Sequence, residues 1–348
     1  MPSNPIRIKW IDYARAVAII CVVLCHATEQ VYKMNLESIV PLPLSSKIVC
    51  FSFFTLGRLG VPFFLMITGY LLLSREYNYT KIINFWKTKW LQLLACSIFW
   101  IAVYDLFLIV YKHKEITIKT FLKDILFLNK VNMSHVWYLP MILGMYILIP
   151  FVASVVKNYD CRLFIFPVLF YTCYLFGSAT LNTIIRVSNQ FSSGFSGDVY
   201  GIYIICGYFI SKDLLKRINT FALMLISIIG FIATVYLQLL SYFKGTVYNV
   251  WYDNLFLFIT SFCLFELSSR IKTYRAYNVI KEISHYSFPI YLTHNIVRSI
   301  LGDKIIALTP IKPLQTLLLL ICCFGYGLLL SFIISKIPKV GRYVLFMK

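Results

Sequence analysis

The chain has 348 residues, 59% of them hydrophobic and only 14% charged, with a mean hydropathy of +0.76. A water-soluble domain is far more polar, so the composition excludes one and predicts an all-α fold: a polytopic transmembrane helical bundle. The net charge is +19, from 33 Lys and Arg against 14 Asp and Glu. It is scattered through short loops, which fits loops that hold one face in the cytoplasm and draw an anionic ligand there; no nucleic acid is expected as a partner.

Apolar runs long enough to span a bilayer recur from end to end. About ten are expected, near 10–31, 49–73, 90–111, 136–156, 163–180, 198–211, 220–241, 250–268, 284–301 and 314–335. The first carries buried charge and no small-residue cleavage site, so it reads as a retained helix rather than a signal peptide. The Lys and Arg bias over the loops predicts both termini in the cytoplasm. The exception is the longest loop, 112–135, expected outside, which carries Lys112, Lys114, Lys119, Lys123 and Lys130. Its segment ITIKTFLKDILFL suits an amphipathic helix in the outer interface. No polar stretch is long enough to fold separately, so residues 1–348 are expected to form one integral-membrane domain in contact with lipid.

The 10 cysteines include no C-x-x-C pair, and most sit in apolar runs, such as Cys21, Cys25, Cys206 and Cys263. They read as small core residues, and no metal site is expected. Zinc spacing, a P-loop, a dinucleotide fingerprint and a nucleophile elbow are all absent from the sequence.

The first span, WIDYARAVAIICVVLCHATEQV, carries Asp12, Arg15, His26 and Glu29. Ionisable groups at membrane depth are expensive and mark functional pathways by default. Arg15 and His26 are eleven residues apart, three turns plus roughly 20°, so they share a face with about 16 Å between them along the axis. Asp12 stands three residues before Arg15, within reach of an ion pair.

The second span contains GRLGVPFFLMITGYLLL. Arg58 and His26 both lie about 24 Å from the inner edge on helix geometry, so antiparallel neighbours would place them at one depth. Arg58 facing inward and Arg58 snorkelling outward both remain open. Gly57, Gly60 and Gly69 allow close helix approach, and Pro62 suits a kink. The fourth span opens with His135, Trp137 and Tyr138, which suit either an interfacial aromatic belt or a cavity wall. The ninth contains SHYSFPIYLTHNIVRSI, in which His294 and Arg298 share a face. On residues alone, a basic, imidazole-containing membrane cavity suits an enzyme or a transporter of a glycan or small molecule equally well.

Arg15 followed after ten residues by His26 resembles the signature of the acyltransferase-3 family of bacterial membrane acyltransferases. Ile11-Asp12-Tyr13-Ala14 resembles that family's entry to its first helix. GRLGVPFFLMITGYLLL resembles its second helix, with Thr68 where Ser is more usual. HVWYL at 135–139 resembles the entry to its fourth helix, and FPIYLTH at 288–294 its late tyrosine–histidine segment. The match runs in order over nearly the whole chain; the middle helices carry no signature.

The resemblance implies about ten helices in the bacterial cytoplasmic membrane. It also implies acyl transfer from cytoplasmic acyl-CoA, acetyl-CoA by default with succinyl as an alternative, as co-substrate; no cofactor is expected to be resident. The implied acceptor is a hydroxyl of a cell-surface or lipid-linked glycan. Larger relatives append a soluble esterase-like domain; this membrane unit is expected to act alone or with separate glycan-synthesis partner proteins.

The chemistry suits the residues. A sugar hydroxyl needs a base, and His26 is expected in that role because imidazole accepts a proton near neutral pH; a covalent relay of the acyl group through His26 stays open beside it. Arg15 is expected to orient the donor or the base, with Asp12 as its alternative partner. Asp12, Arg58, Trp137, Tyr291 and His294 are expected to bind substrate or donor, Arg58 near the thioester oxygen that gains charge.

Overall fold

The computed structural model describes residues 7–129, 134–185, 197–337 and 340–347. Lys130, in the loop expected outside, and Arg186, Lys339 and Lys348, which enter the expected charge bias, lie outside the described residues. Each of the ten expected segments coincides with a helix, except that 250–254, expected to open the eighth, is loop and that helix begins at Leu255; no strand occurs among the described residues. In order they are α1 (Lys9–Tyr32), α2 (Leu44–Leu72), α3 (Tyr79–Lys112), α4 (His135–Asn158), α5 (Cys161–Leu181), α6 (Asp198–Ser211), α7 (Thr220–Phe243), α8 (Leu255–Ser269), α9 (Tyr277–Ala307) and α10 (Lys312–Ser335). Seven are long and apolar enough to cross a membrane, and α6 and α8 are shorter apolar helices. The remaining one, α9, is helical for 31 residues but carries Lys281, Glu282, His285, His294, Arg298, Asp303 and Lys304. The segment expected in the outer interface contains a short helix, Ile118–Ile125, capped by Thr117, whose side chain accepts from Thr120 N–H.

Several helices start where a side chain satisfies an orphan backbone donor. Asn254 accepts from Leu257 N–H at 2.9 Å to open α8, and Asn219 accepts from Phe221 N–H at 2.7 Å to open α7. Helix α2 is broken at Leu59 into Leu44–Arg58 and Gly60–Leu72. Pro62 has no N–H to return to the Arg58 carbonyl four residues back, so the ladder is interrupted where it would have closed. The interruption falls three residues before the proline at which a kink was expected.

Helix α1 is the axis. It packs on α2, α8, α9 and α10, and 78% of its apolar window is buried, against 22% in α10. Lipid-facing surface elsewhere is apolar, as at Phe221, Ile228 and Ile232 of α7. Call the side where α1 begins the near face and the side where it ends the far face. Arg7 Nη2 donates to Lys281 O at 3.4 Å, and Ser74 meets Ser211 at 2.9 Å, on the near face. Tyr242 and Asn249 both donate to Met34 O at 2.9 Å on the far face. The start of α1 and the end of α10 share the near face: Tyr286, early in α9, meets Ser335 at 3.3 Å. Past α10, Val340–Val344 forms a short helix. The tail then lodges against α3, where Trp100 Nε1 donates to Val344 O at 2.7 Å.

The contact of α1 with α2 is set by glycine. A Cβ on Gly57 would lie 2.6 Å from Cys25 Cα, and one on Gly60 2.5 Å from Ala18 O. Only bare backbones fit at that distance. The approach brings Arg58, between these two glycines, against the last turns of α1.

Candidate active site

His26 sits near the end of α1 and is 9% exposed. Its Nδ1 lies 2.8 Å from Glu29 Oε2, one turn further on. A spacing of i to i+3 makes the two side chains neighbours on the helix surface. The other Glu29 oxygen, Oε1, accepts from Arg58 Nη2 at 3.3 Å. The guanidinium supplies the countercharge of a carboxylate, so Glu29 acts as acceptor and His26 Nδ1 carries the proton. Nε2 is then the lone-pair nitrogen.

Arg58 is 5% exposed and points into the bundle, which closes the snorkelling alternative. Its Nη1 donates to Tyr252 OH at 3.3 Å. The guanidinium carbon lies 4.4 Å from the Trp251 ring centroid, 4.6 Å from Phe54 and 5.3 Å from Tyr252. Three rings and a carboxylate hold one planar cation in place.

Two further imidazoles face His26. His294 stacks on it, with centroids 5.3 Å apart and 30° between planes. His135 lies 6.0 Å from His26 and 5.5 Å from His294. His294 Nδ1 is 2.8 Å from Tyr291 O and 3.1 Å from Ile290 O. Carbonyls only accept, so this nitrogen donates and Nε2 is again the lone-pair atom. His135 is held through its backbone: Tyr291 OH donates to His135 O at 2.7 Å. The reading of His135 as part of an interfacial belt is thereby displaced, since it is 2% exposed. Among the described residues no group of three or more His, Cys, Asp or Glu is placed to hold a metal ion.

Buried polar atoms normally find partners. Around this cluster Arg58 Nε, His135 Nδ1, His294 Nε2 and Asn295 Nδ2 have none. Asn295 Oδ1 accepts from Arg298 Nε, and Arg298 Nη1 reaches Gln30 Oε1 at 3.4 Å, so a second polar layer backs the site. These donors and acceptors lie around the half-buried Glu29 carboxylate and are of the kind that pair with a polar ligand.

Trp137 belongs to an aromatic layer on the far side of the cluster. Its ring lies 5.4 Å from Tyr200, 5.4 Å from Trp251 and 5.5 Å from Tyr252. Trp251 and Tyr252, expected inside the span 250–268, come from the loop before α8.

Arg15 and Asp12 form a separate polar group on the near face. The expected Asp12–Arg15 pair is present but long, at 3.8 Å. The stronger partner of Asp12 is Arg7, whose Nε and Nη2 reach its two oxygens at 2.7 and 3.0 Å. Arg7 precedes the helix, so helical spacing could not find it. The Asp12 carboxylate holds the Arg7 guanidinium above its ordinary range through this hydrogen bond. Tyr277 and Ser284 of α9 also donate to Asp12, at 2.8 and 2.7 Å. Arg15 is left with Ser284 Oγ at 3.4 Å and a side chain 29% exposed.

Fold and site together define a helical membrane protein with a carboxylate–imidazole centre inside the bundle and a cationic group below it. The chain belongs to the acyltransferase-3 family: the family's acyltransferase domain model matches residues 8–336. It is therefore a membrane acyltransferase. No curated protein and no solved structure matches the chain.

Proposed function

We propose that the protein moves an acyl group, with acetyl as the first donor to test, from acyl-CoA to a hydroxyl of a cell-surface or lipid-linked glycan. The near face is assigned to the cytoplasm of a bacterial cell, following the charge bias of the loops. The observation that carries the reading is the Glu29–His26 contact at 2.8 Å, anchored by Arg58.

His26 Nε2 takes the proton of the acceptor hydroxyl as its oxygen attacks the thioester carbonyl carbon. Glu29 fixes the ring and stabilises the imidazolium that forms, the logic of a serine-hydrolase triad with the acceptor hydroxyl in place of serine. The carbonyl oxygen becomes an oxyanion, and the unpartnered Arg58 Nε–H is the donor assigned to it. Collapse breaks the carbon–sulfur bond, and the imidazolium returns its proton to the CoA thiolate. The products are an ester and free CoA. Arg15, half-buried on the near face beside Asp12 and Ser284, is assigned to the CoA phosphates, which its planar fork suits.

The test is to mix purified protein, radiolabelled acetyl-CoA and membranes bearing the cell's own glycans. The account expects CoA release with label on glycan in the wild type, and neither in His26→Ala. A transporter would release no CoA.

A further inference from the structure

A cavity of about 330 Å³ opens beside the aromatic layer. Ser178 and Asn182 at the end of α5, Asp198 and Tyr200 at the start of α6, and Trp251 and Asp253 of the loop before α8 all line it. It lies on the far face, the face opposite Arg15, and its volume is within the range of small-molecule sites, about 300–1,000 Å³. Only one aromatic layer separates it from the catalytic cluster, because Trp251 and Tyr200 both touch Trp137, and Trp251 also covers Arg58.

Trp251 is the informative residue. The residue is 36% exposed, yet it is held firmly: Nε1 donates to Tyr200 OH at 3.3 Å, and the Arg58 guanidinium carbon lies 4.4 Å from its ring centroid. A rigid, partly bare indole beside a carboxylate, an amide and a hydroxyl matches the two chemistries of a sugar. A pyranose has an apolar face of C–H groups that stacks on an aromatic ring, and a rim of hydroxyls that donate to carboxylates.

We propose that this cavity is the sugar subsite of the acceptor, in which Trp251 stacks on an uncharged pyranose and Asp253 accepts from its hydroxyls. The assignment rests on the reading of the acceptor as a glycan hydroxyl, and it adds where the sugar sits and what charge it carries. Asp253 already lies above the usual carboxylate range, through burial and then through the nearby Asp198. Another anion in the cavity adds to that repulsion, so uronates and other acidic sugars are disfavoured.

The experiment is saturation-transfer NMR on the full-length protein in detergent, without any donor. The probes are the methyl glycosides of glucose, galactose, mannose and N-acetylglucosamine, with methyl glucuronoside as the anionic control. At least one neutral glycoside should take up saturation and the glucuronoside should not. The response should fall about tenfold in Asp253→Asn and Trp251→Ala, the loss of roughly one charge-assisted hydrogen bond or stacked ring, and persist in Trp251→Phe. Uptake by none of the four, uptake unchanged in Trp251→Ala and Asp253→Asn, or equal uptake by the glucuronoside overturns the proposal. If Trp251→Ala does not fold, the contrast of Asp253→Asn with Trp251→Phe decides. Because sugar binding is read without donor, its failure is distinct from failure of acyl transfer: CoA release that depends on His26 leaves the reaction standing whatever the sugar result.

Discussion

His26 Nδ1 lies 2.8 Å from Glu29 Oε2, and the other oxygen of that carboxylate accepts from Arg58. One side chain thus links the base assigned on the first helix to the cation on the second. The ring is fixed in one tautomer and orientation before any substrate arrives.

Glu29→Gln tests this link. Glutamine matches the shape but carries no charge to stabilise an imidazolium. The expected loss in kcat is about 10²–10⁴-fold, the range of a general-base contribution, with the KM for acetyl-CoA little changed. Steady-state kinetics on the purified variant check it; a change in KM alone would place Glu29 in binding instead.

Arg58→Lys keeps the charge and loses the planar fork. An ammonium cannot at once reach Glu29 and Tyr252 and lie flat on the rings of Trp251 and Phe54. The expected result is at least about a tenfold loss of activity. Arg58→Ala leaves Glu29 without its countercharge and is expected to cost about 3 kcal/mol of stability, read as a lower unfolding midpoint in detergent.

The meeting of His26 and Arg58 was legible in sequence because depth is arithmetic. Counting residues at 1.5 Å each put both at one height, and the structure joins them through Glu29. The role of Glu29 was not legible, although it stands three residues after His26. The same spacing links Asp12 to Arg15, and that pair proved the weaker one because Arg7, outside the helix, competes for Asp12. Trp251, Tyr252 and Tyr200 were missed for a different reason. They meet through tertiary packing: Trp251 and Tyr252 were read as the start of an apolar span and are loop, where no period reveals which way a ring faces. Tyr291 was expected to bind substrate. Its hydroxyl donates to the His135 backbone, which fixes one imidazole of the cluster.

The donor-binding role proposed for Arg15 can be tested apart from the chemistry. Its partner Ser284 is neutral, and Asp12 is already engaged by Arg7. Arg15→Ala and Arg15→Lys are both expected to raise the KM for acetyl-CoA, by about tenfold or more. Retained activity in Arg15→Lys with loss in Arg15→Ala would show that a point charge suffices there.

Gly57→Ala tests the close contact of the first two long helices. The added Cβ would fall 2.6 Å from Cys25 Cα, so α2 must move away and carry Arg58 with it. Overpacking of this kind costs typically about 1–3 kcal/mol. Activity should fall more steeply than stability, because the Arg58–Glu29 contact of 3.3 Å has little slack. Measuring thermal midpoint and CoA release on one preparation checks the prediction.

The central claim is that His26 acts on the acceptor and is not needed to hold the donor. A single-turnover measurement tests it most directly: protein in excess over radiolabelled acetyl-CoA, glycan-bearing membranes added, label on glycan followed in time, and acetyl-CoA affinity measured separately by calorimetry. The account predicts that His26→Ala binds acetyl-CoA as the wild type does and transfers no label. Transfer by His26→Ala at a rate near the wild type's would contradict it.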